Sequence, residues 1–136
     1  MADRHPVLGT TSALVSASAV AGAVGLATGT LDLTDPVAAR LPLGSPVLGG
    51  AALAAHVGAP YALLAARSFR GAPSTPATAV VCGGVLLGWI AVEYGFIREF
   101  SPLQPAFAVV GAAFVAAGLR LSRRPGPART RLEVVP

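Results

Sequence analysis

Lysine is absent from this 136-residue chain, cysteine, tryptophan and methionine occur once each, and only 12% of the residues carry charge. The lone cysteine, Cys82, excludes an intramolecular disulfide. The two histidines, His5 and His56, have no second cysteine, histidine or carboxylate at metal-ligand spacing, so neither a metal nor a cofactor is expected. A soluble domain carries roughly 25% charged residues, about twice the fraction found here. The basic residues are all arginine, which together with the excess of Ala, Gly, Val and Pro points to a bacterium with a G+C-rich genome. What the chain has in quantity is apolar sequence, 54% of it, with 16 glycines and 12 prolines.

The few charges are concentrated in short breaks. No Asp, Glu or Arg occurs from His5 to Leu31, from Leu41 to Ala66, from Gly71 to Val92, or from Phe100 to Leu119. Crossing a hydrocarbon layer of roughly 30 Å takes about 20 helical residues, and each of the four windows is that long. A soluble bundle would place charge along one face at helical spacing, which these windows lack. The roughly ten-residue alternating segments of a membrane barrel are missing too. With no strand expected, no phosphate loop follows one. The fold class read from this pattern is all-α, an integral membrane bundle of four helices running up-down-up-down.

Punctuation places the helices at about 11–31, 46–66, 76–97 and 102–121, a transmembrane domain within residues 1–121. Ser45-Pro46, Thr75-Pro76 and Ser101-Pro102 each pair a capping hydroxyl with a first-turn proline. Residues 122–136 form an Arg/Pro-rich tail expected to be disordered, since Pro125 and Pro127 interrupt any helix. Arg4, Arg67, Arg70, Arg120, Arg123, Arg124, Arg129 and Arg131 fall on one side of the proposed layer, and only Arg40 and Arg98 on the other. The positive-inside rule then places both termini in the cytoplasm, the membrane being the bacterial plasma membrane. This topology accounts for the net charge of +4 without a nucleic-acid partner. The tail would gain about 1 kcal/mol per arginine from anionic lipid. Ser16-Ala17-Ser18-Ala19 faintly resembles a signal-peptide cleavage site, but a single preceding arginine and continuing apolar sequence favour a retained helix.

Small residues make the clearest internal pattern. Ser18, Gly22, Gly25 and Gly29 line one face of the first helix, and Gly84, Gly88, Ala91 and Gly95 one face of the third. On the fourth, Phe107, Gly111, Phe114, Gly118 and Leu121 alternate knobs and holes. Helices in lipid attract through close backbone approach, so these faces read as helix contacts, within one chain or between copies.

Two side chains inside the spans could carry chemistry. Glu93 lies near the outer end of the third helix on a face with Cys82, Leu86 and Trp89; an ionisable group in a span marks function unless it reaches the headgroups or pairs with Arg98. His56 falls mid-way along the second helix in a stripe with Gly49, Ala52, Ala59 and Leu63 expected to face the bundle interior, four residues before Pro60. It suits a proton-relay or substrate role or, more simply, a hydrogen bond to a neighbouring helix. Their depths differ by about 10 Å at 1.5 Å per residue, so a direct pair is not expected while a water-linked one is open.

Leu86-Leu87-Gly88-Trp89-Ile90 followed by Ser101-Pro102-Leu103-Gln104-Pro105 resembles the second hairpin of small uncharacterised bacterial four-helix membrane proteins. The resemblance implies the four-helix topology and transfers no functional residue. Three functional classes follow, in order: a structural or accessory membrane component acting through helix contacts with itself or a protein partner; a small transporter or channel component using His56 and Glu93; and a membrane enzyme acting on lipid, which would have only Asp32, Asp35, Arg40, Arg98 and Glu99 at one face. The lack of a catalytic cluster favours a non-enzyme.

Overall fold

The computed structural model describes residues 3–31, 39–40, 44–98 and 100–125. Asp32, Asp35, Glu99, Arg129, Arg131 and the tail from residue 126 lie outside them. Among the described residues are four helices long and apolar enough to cross a membrane, and between 17% and 33% of the residues in each apolar window are buried.

Helix α1 spans Pro6–Thr28. It starts a turn and a half before the expected Thr11, because Pro6 occupies a first-turn position where its fixed φ is already helical. It stops at Gly29, whose φ of 70° is the left-handed cap that glycine adopts without strain. Leu31 then folds back, its N–H donating to Gly25 O at 3.2 Å.

Helix α2 covers Pro46–Arg70, with a π-turn at Ala54–Gly58 inside it. Ser45 caps it as expected, its side chain accepting from Leu48 N at 3.3 Å. The helix outruns the expected Ala66 by one turn and ends at left-handed Gly71. Arg67 and Arg70 sit in that last turn, where cations offset the exposed carbonyls.

Helix α3 spans Thr75–Ile97. The expected cap is displaced here: Ser74 holds the cap position without a side-chain bond, and Thr75 is already helical, fully buried, with Oγ1 unpartnered. The short turn ties Thr75 N to Ala72 O at 3.0 Å and so pulls Thr75 into the first turn. Helix α4 spans Leu103–Ser122. Ser101 Oγ accepts from Leu103 N at 3.3 Å while Gln104 Oε1 accepts from Ser101 N at 3.4 Å, a reciprocal cap.

Packing is closest within α1/α2 and within α3/α4. Early residues of one helix meet late residues of its mate: His5 N donates to Ser68 O, and Ser16 Oγ to Gly58 O. A Cβ at Gly50 would lie 2.7 Å from Ala23 O, and one at Gly118 2.6 Å from Pro76 O. Only glycine permits these approaches. The pairs join through α2 and α3, where Arg67 Nη1 donates to Thr78 Oγ1 at 2.8 Å. Tyr61 of α2 meets Phe114 of α4 edge-on at 4.9 Å.

The outer surface is apolar like the interior, unlike that of a soluble bundle. Ser12, Ser16, Ser68 and Thr75 are buried alongside Tyr61 and Leu64. Val7 is 80% exposed and Val109 69%. An apolar core that also holds buried hydroxyls, with bulky aliphatics covering the outside as well, suits a lipid surround, which is no less apolar than leucine.

Candidate functional site

The π-turn sets the site. Ala59 N–H bonds to Ala54 O, five residues back instead of four. Pro60, two residues past Gly58 at the end of the π-turn, has no N–H to contribute to the ladder. Such a turn inserts one extra residue into the helix, and π-turns gather at functional positions. The extra residue rotates everything beyond it by about 100°, one residue's share of a 3.6-residue turn. The expected interior stripe therefore advances by one position. Gly49 is buried, but His56, Ala59 and Leu63 are exposed, and Val57, Tyr61 and Leu64 take the interior. His56 does not face the bundle core.

Neighbouring helices bond the irregular stretch. Ser16 of α1 donates to Gly58 O at 2.7 Å in a buried contact. Cys82 Sγ of α3 donates to Pro60 O at 3.4 Å. Cys82 is buried and its thiol is engaged, so its role is to pack and to hold that carbonyl.

His56 and Glu93, which their depths separate, are joined by Trp89. The His56 imidazole stacks on the Trp89 indole, with ring centroids 5.9 Å apart and planes 25° from parallel. Trp89 Nε1 in turn donates to Glu93 Oε1 at 2.8 Å, one helical turn further on. Arg98 and the headgroup region were the two alternatives open to Glu93; the bond it makes is to Trp89. A carbonyl can only accept, so in the 2.9 Å contact with Ala52 O the His56 Nδ1 carries the hydrogen and donates. An imidazole, an indole and a carboxyl group thus form a ladder along the α2/α3 seam. The indole N–H only donates. It positions the carboxylate and the imidazole but cannot pass a proton between them.

The glycine faces divide. Gly111 and Gly118 of α4 are buried against α3, and a Cβ at Gly111 would meet Leu87 Cγ at 3.0 Å. Gly83, which no sequence stripe includes, faces Gly111, where its Cβ would lie 2.5 Å from the carbonyl oxygen. Gly84, Gly88 and Gly95 meet nothing within 4 Å. On α1 the small face turned to α2 is Ser12, Ser16, Ala19 and Ala23. A Cβ at Gly22 would meet Leu53 at 3.3 Å and one at Gly25 would meet Leu31 at 2.9 Å, while Gly29 is the open cap. Among the described residues no three His, Cys, Asp or Glu side chains gather as a metal set.

The helices define a multi-pass membrane protein. No family model, no curated protein and no solved structure matches the chain.

Proposed function

We propose that the protein is an accessory component of the bacterial plasma membrane that associates laterally through the outward face of α3. In this reading the four helices run up-down-up-down with both termini in the cytoplasm, as the eight-to-two division of arginines favours. The likeness to small four-helix bacterial membrane proteins fits the same topology.

The observation that carries the reading is the contrast among glycines. Gly83, Gly111 and Gly118 are filled by their own chain, while Gly84, Gly88 and Gly95 leave open backbone on the adjoining face of the same helix. Helices in lipid use such faces for close approach. A photo-reactive amino acid at Val81, exposed on α3, is expected to cross-link to a second copy or to one discrete protein in intact membranes; Val109, exposed on α4, supplies the comparison. Lipid adducts alone from both positions would contradict the proposal.

The ladder of His56, Trp89 and Glu93 favours a second reading, a transporter or channel component with water linking the two titratable groups. That reading expects His56→Ala and Glu93→Gln each to abolish a pH-dependent flux in proteoliposomes. Equal flux in both variants and the wild type would reject it.

A further inference from the structure

We propose that the cleft between α1 and α4 binds one anionic phospholipid from the leaflet on the arginine-rich side, its phosphate held by Arg4, Arg120 and Arg124. The two helices come together from opposite ends of the chain and scarcely touch, because each spends its close-packing face on its own partner, α2 or α3. The gap is a groove of about 650 Å³, within the roughly 300–1,000 Å³ of a small-molecule site.

The groove has two chemically distinct zones. Its apolar floor includes Leu8, Phe114, Ala117 and Leu121. Its basic end holds the three arginines and His5, and no carboxylate lines it. Among the described residues none of the three guanidinium groups has a hydrogen-bond or ion-pair partner. A guanidinium is permanently charged and offers five donors in a fork suited to phosphate. Three of them beside an apolar trough call for an anion attached to hydrocarbon.

Length agrees. The helical part of the lining runs from Pro6 to Thr11 on α1 and from Leu121 back to Ala113 on α4, about 8 and 12 Å at 1.5 Å per residue. Half the hydrocarbon core is about 15 Å. The apolar part of the trough therefore lies within one leaflet. Phe114 forms its inner wall and is itself braced by the buried Tyr61 ring. The proposal goes beyond lateral association through α3, which uses a different face, and either can fail without the other.

The test uses the full chain in phosphatidylcholine nanodiscs carrying a trace of spin-labelled phosphatidylglycerol or spin-labelled phosphatidylcholine. The immobilised fraction gives the relative affinity. The wild type is expected to prefer the anionic label by roughly tenfold. Arg120→Gln and Arg124→Gln are each expected to lower that preference several-fold. Arg123→Gln, which removes the same charge from a position that does not line the groove, leaves it unchanged. Ala117→Trp fills the trough and abolishes the preference with every arginine in place. Circular dichroism and a monodisperse elution profile establish that each variant is folded. Equal loss in Arg123→Gln would mean diffuse surface charge. Displacement of the lipid by inorganic phosphate would mean a simple anion site. A preference that survives Ala117→Trp, or a cross-linked second copy seated against Ala117, would mean that no lipid occupies the groove. Each of these results overturns the proposal.

Discussion

Ser16 illustrates how single residues hold this fold together without a hydrophobic driving force between helices. Its hydroxyl donates to Gly58 O across the α1/α2 contact, in a buried site. Interhelical bonds of this type contribute about 1 kcal/mol in membrane proteins. Ser16→Ala is therefore expected to lower stability by about that amount, measured by reversible unfolding in mixed micelles of mild detergent and dodecyl sulfate. An unchanged transition would mean that the carbonyl finds another donor. Glycines permit a sharper comparison. A side chain at Gly118 would collide with Pro76 O and Val80, whereas one at Gly84 meets open space. Gly118→Val should cost about 1–3 kcal/mol by overpacking, while Gly84→Val leaves the same unfolding curve in place. Equal destabilisation by both would place Gly84 inside the bundle.

Which glycines pack was only half legible. Gly111 and Gly118 are flanked by Phe107 and Phe114, and that alternation marks a face with a neighbour. On α3, Gly83 and Gly84 are adjacent in sequence and about 100° apart around the helix, each at the head of a plausible face. Nothing in the spacing distinguishes the face that meets α4 from the one left open. The same holds for α1, where Ser12, Ser16, Ala19 and Ala23 are the buried set. They repeat the spacing of Ser18, Gly22, Gly25 and Gly29 at a different angle.

At the scale of elements, charge gaps and Ser/Thr-Pro pairs mark the helices because lipid tolerates no charge and proline tolerates only the first turn. The ends shift by a turn where chemistry outweighs hydropathy. Pro6 starts α1 beside charged Arg4, and α2 continues through Arg67 and Arg70 to the Gly71 cap. The π-turn left no mark of its own in the sequence. Its register depends on a hydrogen bond five residues long; Pro60 hinted at an irregularity but not at its kind. That single inserted residue carried His56 from the interior to the outer seam and onto Trp89.

Trp89 is the sole tryptophan, so its fluorescence reads the cluster directly. Electron density leaves the pyrrole ring on excitation, and an acceptor at Nε1 stabilises that state. Glu93→Leu, which removes the acceptor, is expected to shift emission to shorter wavelength. Pro60→Ala restores a backbone donor and favours a regular α2, which would turn His56 away from Trp89. Loss of His56 stacking in that variant should then make the emission insensitive to a further His56→Ala change. Emission that responds to His56→Ala equally in both backgrounds would separate the π-turn from the proline.

The whole molecule follows from one physical condition, that its long uncharged helices are surrounded by lipid. The apolar outer surface, the serine and glycine contacts, the outward glycine face of α3 and the basic groove between α1 and α4 have physical sense only there. Fractionation after cell disruption tests that condition most directly. The chain is expected to sediment with membranes, to stay with them through an alkaline carbonate wash, and to enter solution only when detergent is added. Recovery in the supernatant before detergent, as a folded and monodisperse species, would contradict it.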